Sequence, residues 1–282
     1  SVLSLGGTDA QKSELLPQVA AGELRLAMAI DESARHNPAN VATTATADGD
    51  TYKISGEKSF VVDGGVADRF IVSARTSGQA GDADGISLFL VPNDADGINV
   101  MNTPMVDSRN AAQIRFEEVV VTAEQRIGDV DKGMVTLQAA LNIATVHQAA
   151  ELLGIANQCF QKTLAYLKER TQFGIVIGTL QALQHRAAIL WTEIELCKSI
   201  VLKALRALDE SPADAALLAS VAKAKTCRTA ELATNEGIQM HGGIGMTDEY
   251  DMGFYLKRAR VVQMTYGDYR FHADRYARLS GY

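Results

Sequence analysis

Two segments of the chain combine side chains that bind anions with glycines that let a ligand reach the backbone. The first, Arg170-Thr171-Gln172-Phe173-Gly174, offers a forked cation and then a flat apolar ring. The second, Gln239-Met240-His241-Gly242-Gly243-Ile244-Gly245, places a glycine pair and a third glycine after a helical stretch. A guanidinium can bind phosphate through two parallel donors, and glycine has no Cβ to obstruct a ligand. The segments predict a site for a large anionic ligand with a planar group, although Gly-Gly-x-Gly alone also ends many helices.

The residues from about 41 to 121 are typical of an all-β unit, because runs rich in Thr, Val, Ile and Gly alternate with turn signals. Val41–Ala47 and Thr51–Ile54 flank Asp48-Gly49-Asp50, which predicts a hairpin. Further strands are predicted at Lys58–Val62, Asp68–Ala74, Gly85–Val91, Ile98–Met101 and Gln113–Val121.

Helical spacing of apolar residues dominates the second half of the chain. It predicts a four-helix up-down bundle, in which Ser211 would cap the third helix and Pro212 would occupy its first turn. A stripe of small and apolar residues on the first helix predicts the main subunit contact: Ala144, Ala149, Leu152, Leu153 and Ala156. The predicted helices are Leu141–Arg170, Leu180–Leu208, Ala213–Gln239 and Phe254–Leu279.

The fold class is therefore α+β, with a β-barrel or sandwich domain at 27–129 and the helical bundle at 130–282. The net charge of -7 and pI near 5.3 argue against nucleic acid and an anionic membrane surface as partners. No apolar run reaches the ~20 residues that span a bilayer, and no secretory signal is visible. Cys159, Cys197 and Cys227 have no ligand-like spacing, so we expect no metal site and a reducing compartment such as the cytoplasm.

The two ligand-type segments, in this order and separation, resemble those of the acyl-CoA dehydrogenase family of flavoproteins. Gly49 to Lys58 also resembles the family's β-domain hairpin, and Ile114 to Val121 its exit from that domain. The resemblance implies FAD, an acyl-CoA substrate and an electron-transferring flavoprotein as acceptor. It implies assembly as a dimer or dimer of dimers, with itself or a paralogous subunit. Residues 1–26 would be the remnant of an N-terminal helical domain that is largely absent from this chain.

In the family, the two segments of one subunit hold the ADP half of an FAD that belongs mainly to its neighbour. The resemblance gives that role to Arg170, Gln172, Phe173, Gln181, Gln239, Gly242 and Gly243. The flavin-facing positions of the β domain are Ile30, Asp31, Phe60 and Val62. Three of them depart from the family pattern. Phe60 replaces a Trp, Val62 replaces a Thr and cannot donate a hydrogen bond, and Asp31 adds negative charge.

Family members oxidise a saturated acyl-CoA to the 2-enoyl thioester, and a carboxylate removes the α proton while hydride passes to the flavin. Tyr266 occupies the usual position of the catalytic Glu, and Ala144 occupies the alternative one. A phenol with a reference pKa near 10 is a poor base at neutral pH. Asp268 is the nearest acid, and it is either the base or the cap of the next helix, with Gly267 making the turn. We interpret Glu151 as part of a solvated helix face.

The missing base and the altered flavin-facing positions favour the non-catalytic half of a heteromeric acyl-CoA dehydrogenase. An active dehydrogenase with an unrecognised base is the other form of the same hypothesis. A binding or scaffold protein that has lost flavin is an alternative from a different class. A flavin-dependent oxidase or monooxygenase on the same fold would not need the same base, and fold-level analogy does not choose between these.

Overall fold

The computed structural model describes residues 1–82 and 84–282. They divide into two compact units, 1–141 and 142–282. The first unit opens with two helices, α1 (Val2–Gly6) and α2 (Asp9–Ala21). Thr8 begins α2 with a capping box, in which its hydroxyl accepts from Gln11 N and the Gln11 side chain accepts from Thr8 N.

Between residues 26 and 127 the first unit forms one mixed β-sheet, which confirms the predicted β domain. The strands pair in the order β6-β7-β3-β2-β4-β5-β8, and β1 lies parallel beside β4. Buried side chains such as Ile54, Phe70 and Phe89 form the core of this unit. The strands are β1 Leu26–Ala29, β2 Thr44–Asp48, β3 Thr51–Val62, β4 Arg69–Arg75, β5 Ile86–Pro92, β6 Ile98–Pro104, β7 Asn110–Thr122 and β8 Arg126–Ile127.

The predicted hairpin is present, since β2 and β3 pair antiparallel up to Asp48 and Thr51. The prediction of a separate strand at Lys58–Val62 is wrong, because these residues are the second half of β3. The ladder with β7 shifts register between Ile54 and Gly56 and again between Lys58 and Val61. A Cβ on Gly56 would lie 2.5 Å from Thr43 Oγ1, so only glycine fits where β3 bends past that residue.

The second unit is helical, and none of the described helices combines the length and hydropathy needed to cross a membrane. A short antiparallel hairpin follows the first long helix and was not predicted, because each of its strands has only two residues. The elements are α3 Gly133–Glu169, β9 Thr171–Gln172, β10 Ile175–Val176, α4 Gln181–Glu210, α5 Pro212–His241, α6 Met252–Met264 and α7 Tyr269–Leu279.

The predicted fourth helix, Phe254–Leu279, is two helices, α6 and α7. Tyr266 and Gly267 separate them with positive φ values of 55° and 100°. A Cβ on Gly267 would collide with the Phe271 ring and lie 2.9 Å from His272 Nε2. The apolar spacing continues across the break, so periodicity alone predicts one helix where a left-handed turn makes two.

Two further expectations for the bundle are wrong. Ser211 precedes α5 without a side-chain capping hydrogen bond, while Pro212 does occupy the first turn. The predicted contact stripe on α3 is not available to a neighbour, because Ala149, Leu152 and Ala156 are buried in the bundle's own core. Helix α4 carries four exposed apolar side chains, at Ile189, Trp191, Leu196 and Leu202.

We predict that Gly267→Ala lowers the free energy of unfolding by about 2–3 kcal/mol, because it adds backbone strain and a clash with Phe271. Gly253→Ala in α6 is the matched control, since its Cβ would meet no heavy atom within 4 Å. The control should leave stability unchanged or raise it by up to about 1 kcal/mol. Urea unfolding of both variants measures the difference. Equal effects would mean that the α6–α7 turn does not depend on glycine.

Candidate cofactor-binding site

Three helix ends meet at one end of the helical unit. The Tyr166 ring, in the last turn of α3, packs against the His241 imidazole at the end of α5, with 4.4 Å between ring centroids. Near the start of α4, Arg186 Nε donates to Glu236 Oε2 of α5 across 2.6 Å. The sequence-predicted residues at 170–173, 181 and 239–243 adjoin these contacts, so the structure brings together the segments that carry them.

The first segment is a tight hairpin that presents an aromatic ring to solvent. Ile177 N donates to Arg170 O across 2.9 Å and closes the hairpin. Phe173 and Gly174 form its tip with φ values of 53° and 77°. Phe173 is 96 % exposed, which is extreme for a phenylalanine and leaves its whole ring available. Positive φ at a bulky residue is strained, and such strain concentrates at functional positions.

The Arg170 side chain is free to bind an anion. It is exposed directly after the last residue of α3, and no carboxylate pairs with it in the described ranges 1–82 and 84–282. Gln172, Gln181 and Gln239 are likewise exposed. The first segment therefore offers an unpaired guanidinium, exposed amides and an uncovered ring.

The glycines of the second segment have two different uses. Gly242 has φ 65° and ψ −139°, a conformation that other residues avoid. A Cβ on Gly242 or on Gly243 would meet no heavy atom within 4 Å, so this side of the turn is open. A Cβ on Gly245 would instead lie 2.6 Å from Ile238 O. The glycine pair leaves the backbone accessible, whereas the third glycine serves internal packing.

His241 is buried between two tyrosine rings and supports the glycine pair from within the bundle. Its ring lies 4.4 Å from Tyr166 and 4.5 Å from Tyr250, centroid to centroid. Nδ1 donates to Gly237 O across 2.6 Å. Burial lowers the pKa of His241, so the ring is neutral at pH 7. Its burial between these rings makes His241 a packing residue of the bundle.

In the β unit, the Asp31 carboxylate is held by its own loop. Asp31 Oδ2 lies 2.8 Å from His36 Nδ1, and Oδ1 accepts from Asn37 N across 2.9 Å. Ser59 N donates to Asp31 O across 2.7 Å, which ties this loop to β3. Ile30 is buried at 3 % exposure and belongs to the core. Both oxygens of the Asp31 carboxylate are therefore engaged within the loop, by His36 and by a main-chain donor.

Phe60 lies beside this loop in strained backbone, with φ 51° and 37 % of its surface exposed. Val62, two residues on, is half-buried and offers no hydrogen bond. Lys58 lies in the interior, where its Nζ donates to Glu32 Oε1 across 2.7 Å and to Ser73 Oγ across 3.1 Å. Burial lowers the pKa of Lys58 to about 8. The Lys58–Glu32 ion pair thus anchors β3 two residues before Phe60.

The turn between α6 and α7 holds the residues at the family's base position. Tyr266 O accepts from His272 Nε2 across 2.9 Å. Asp268 Oδ1 accepts from Phe271 N across 2.9 Å, so its carboxylate caps α7. Ala144, in the early part of α3, is half-buried and brings no acid. Every described polar contact of Asp268 suits a helix cap.

Sequence reasoning missed a buried lysine behind this turn. Lys223 is fully buried in α5, and its Nζ donates to Val262 O across 2.8 Å and to Thr265 O across 2.6 Å. Burial lowers its pKa to about 8. Its position among small apolar residues of a long helix is the sequence feature that could have predicted its burial. Glu151 is also more than a solvated residue, because its Oε1 accepts from Arg258 Nε across 2.6 Å.

The structure defines a two-domain α+β protein: a mixed β-sheet unit is followed by a helical bundle, and the helix ends of the bundle present open glycines and an exposed arginine. Family comparison makes this specific. Residues 27–119 match the acyl-CoA dehydrogenase middle domain, and residues 131–279 match the acyl-CoA dehydrogenase C-terminal domain. The chain belongs to the acyl-CoA dehydrogenase family, whose members are FAD-dependent oxidoreductases acting on CH–CH bonds.

Known relatives agree with this assignment. The short/branched chain specific acyl-CoA dehydrogenase of Bos taurus is 31% identical over 90% of this chain, which spans 59% of that protein. The 3-(aryl)acrylate reductase of Clostridium sporogenes is 31% identical over 93% of this chain and 70% of its own length. The crystal structure of an acyl-CoA dehydrogenase from Geobacillus kaustophilus superposes with a TM-score of 0.93 at 29% identity, covering 100% of this chain and 75% of that one.

Two sets of residues are candidates for holding FAD, one at the helix ends of the second unit and one in the β unit. They differ in how well they suit the cofactor. The helical set fits the ADP half, because it combines the unpaired Arg170, the exposed Phe173 ring and the open backbone at Gly242 and Gly243. The β-unit set is a poorer fit to a flavin head, since the Val62 side chain has no donor and the Asp31 carboxylate is engaged within its own loop.

We predict that buried lysines make stability rise with pH. Between pH 8 and 10.5 the unfolded state keeps protons that Lys223 and Lys58 have lost, so the free energy of unfolding increases by a few kcal/mol in this window. Lys223→Met should remove about half of that rise, because only Lys58 then contributes. Denaturant unfolding from pH 7 to 10 measures the slope.

Lys225→Met, on the same helix, is the control, since Lys225 is only partly buried and pairs with Glu193. Its slope should equal that of the wild type. A Lys223→Met slope that also matches the wild type would contradict the burial of a shifted ammonium behind the α6–α7 turn.

Proposed function

We propose that this chain is a subunit of a heteromeric, FAD-linked acyl-CoA dehydrogenase and contributes the ADP-binding segment to the FAD of a neighbouring subunit. The observation that carries the proposal is a contrast between two regions. The Arg170 and Gly242-Gly243 segments are exposed and open, while no unengaged carboxylate occupies positions 144, 266 or 268. The chain therefore has the exposed segments that would bind the cofactor of a neighbouring subunit, but it has no free carboxylate at the expected positions of the catalytic base.

The reaction demands a base that this chain does not supply at the expected position. The proton α to a thioester is weakly acidic, so its base must be an aimed carboxylate and the carbonyl oxygen must be hydrogen-bonded as charge builds. The Tyr266 phenol has a reference pKa far above neutral pH. Asp268 already accepts from Phe271 N. A subunit with these residues serves binding better than proton abstraction.

The roles of the chain's own residues follow from their chemistry. Arg170 binds a phosphate oxygen through its forked donors, and Phe173 covers one face of the adenine. Gly242 and Gly243 let the main chain approach the ligand, while Gln172, Gln181 and Gln239 supply amide groups. FAD, when bound, accepts the hydride from the substrate. The His241 stack keeps this surface rigid, which orients the cofactor without taking part in proton transfer.

The substrate is an acyl-CoA thioester, and its acyl group is not specified by these residues. The similar proteins act, by their names, on short or branched acyl chains and on 3-(aryl)acrylates, so the fold accepts chemically different chains. A structure of the electron transferring flavoprotein of Acidaminococcus fermentans is 28% identical with a TM-score of 0.93. We propose that an electron-transferring flavoprotein accepts the electrons of the reaction. The proposed assembly partner is a paralogous subunit or a second copy of this chain.

We predict that Arg170→Gln lowers FAD retention in the assembled protein at least tenfold, because a charge-assisted hydrogen bond to phosphate is lost. Arg206→Gln, at an exposed position of α4, is the control and should retain FAD normally. Flavin absorbance per protein after gel filtration measures occupancy. Unchanged occupancy in the Arg170 variant would place the cofactor elsewhere.

We also predict that Asp268→Asn leaves stability unchanged, because asparagine caps a helix as well as aspartate does. Asparagine keeps the shape of the Asp268 side chain but removes its basic carboxylate. The variant therefore distinguishes a helix-capping role from a role as catalytic base. Anaerobic acyl-CoA titration of the isolated chain, followed by flavin bleaching, is the readout. Bleaching by the wild type that Asp268→Asn abolishes would make this chain an active dehydrogenase and overturn the non-catalytic assignment.

A further inference from the structure

The buried histidine at the end of α5 occupies a site that suits only its neutral form. The His241 ring is 3 % exposed and lies between the rings of Tyr166 and Tyr250. Its Nδ1 faces Gly237 O, and a carbonyl oxygen only accepts, so the neutral ring carries its proton on Nδ1 and a lone pair on Nε2. Nε2 is buried and has no hydrogen-bond partner in the ranges 1–82 and 84–282. A proton added to Nε2 would therefore lie in the interior without an acceptor, which is costly.

The charges around the ring do not remove that cost. The Lys162 ammonium opposes a positive charge on His241, and the Asp251 carboxylate favours one. These two groups form an ion pair across 2.9 Å, so their effects on the ring largely cancel. The tyrosine faces attract a cation, but burial has the largest effect and lowers the pKa of His241. The titratable groups on the surrounding elements are Lys162, Tyr166 and Glu169 of α3, His185 and Arg186 of α4, Glu236 of α5, Tyr250 and Asp251 before α6, and Tyr255 of α6.

The same ring connects the Arg170 hairpin to the glycine pair. Arg170 N donates to Tyr166 O across 2.9 Å, so the hairpin begins one helical turn after the Tyr166 ring. His241 directly precedes Gly242, whose N–H donates to Gln239 O. A change that separates the two rings therefore also changes the distance between the hairpin and the glycine pair.

We infer that the Tyr166–His241–Tyr250 stack is an acid-sensitive latch, which is closed while His241 is neutral and opens when this ring takes up a second proton. Opening separates the Arg170 hairpin from the glycine pair, so a cofactor held by both is released in acid. His241 is thus a positioning residue, which acts through the two segments without touching the ligand. The release of FAD rests on the proposed function, whereas the opening of the latch does not.

Proton linkage sets the pH range of the latch. The pKa of His241 is lowered in the closed form and returns to the ordinary value of about 6.5 in the opened form. Above that value the closed form keeps its full stability. As the pH falls from about 6.5 through the lower pKa of the closed form, opening takes up a proton and becomes up to about tenfold more frequent per pH unit.

Hydrogen exchange of the full chain at pH 7.5 and pH 5.5, corrected for the intrinsic pH dependence of exchange, tests the latch. Residues 166–180 and 237–247 should exchange about three- to tenfold faster at pH 5.5 in the wild type. His241→Phe keeps an aromatic ring without a titratable nitrogen and should remove this acceleration. His241→Gln, which is also neutral at both pH values, should do the same and replaces the Phe variant if that variant does not fold.

His147→Phe is the matched control for the exchange experiment. His147 is exposed on α3, and its Nδ1 makes the same kind of bond, to Ile143 O across 2.8 Å. This variant should keep the acceleration of the wild type. Exchange that does not change with pH in the wild type, or that changes equally in His241→Phe, would overturn the latch.

FAD occupancy of the assembled protein at the same two pH values separates the latch from the proposed function. Wild-type occupancy should fall about threefold or more at pH 5.5, and occupancy in His241→Phe should not depend on pH. Occupancy that Arg170→Gln lowers, in a protein whose exchange is independent of pH, would overturn the latch and leave the proposed function in place. Exchange that follows His241, in a protein whose occupancy does not respond to Arg170→Gln, would support the latch and contradict the proposed function.

Discussion

The contact between Tyr166 and His241 is the interaction on which the candidate site depends. It joins the last turn of α3 to the last turn of α5, and Arg170 and the Gly242-Gly243 pair follow directly after these turns. His241 is neutral and donates to Gly237 O, so it packs as an aromatic ring without bringing charge into the bundle. Because both segments depart from this one rigid contact, the Arg170 hairpin and the open glycines share a defined geometry.

Helix α5 combines this role with a second one at its middle. There Lys223 donates to the last carbonyls of α6, which positions the turn that contains Tyr266 and Asp268. A buried ammonium without a carboxylate partner at hydrogen-bond distance is costly, and two carbonyl bonds offset part of that cost. One helix thus supports both the cofactor-type surface at its end and the altered base position at its centre. The proposed division of roles between subunits depends on both features, the surface at the end of α5 and the α6–α7 turn beside its middle.

Much of the fold could be predicted from the sequence, and each prediction that failed did so for a physical reason. The β2–β3 hairpin follows from Asp48-Gly49-Asp50, because Gly49 adopts the positive φ that a two-residue hairpin turn needs. The apolar spacing continues through Tyr266 and predicts one helix at the α6–α7 break, whereas the interpretation of Gly267 as a turn and Asp268 as the cap of the next helix is confirmed. The ligand-type segments remain a prediction, based on an arginine with an aromatic neighbour and a glycine pair in two segments of defined order and separation. Lys223, the Asp31–His36 contact and the core position of Ala149 depend on tertiary packing, which periodicity along a single chain does not contain.

The central claim is that this chain completes a cofactor site in trans. Its most direct test is the flavin content of the purified chain alone and after co-expression with a paralogous subunit that carries the catalytic carboxylate. The account predicts little flavin in the chain alone and a stable FAD-containing complex with the partner, in which Arg170→Gln on this chain lowers occupancy. Stoichiometric FAD in the isolated chain, together with reduction by acyl-CoA, would contradict it.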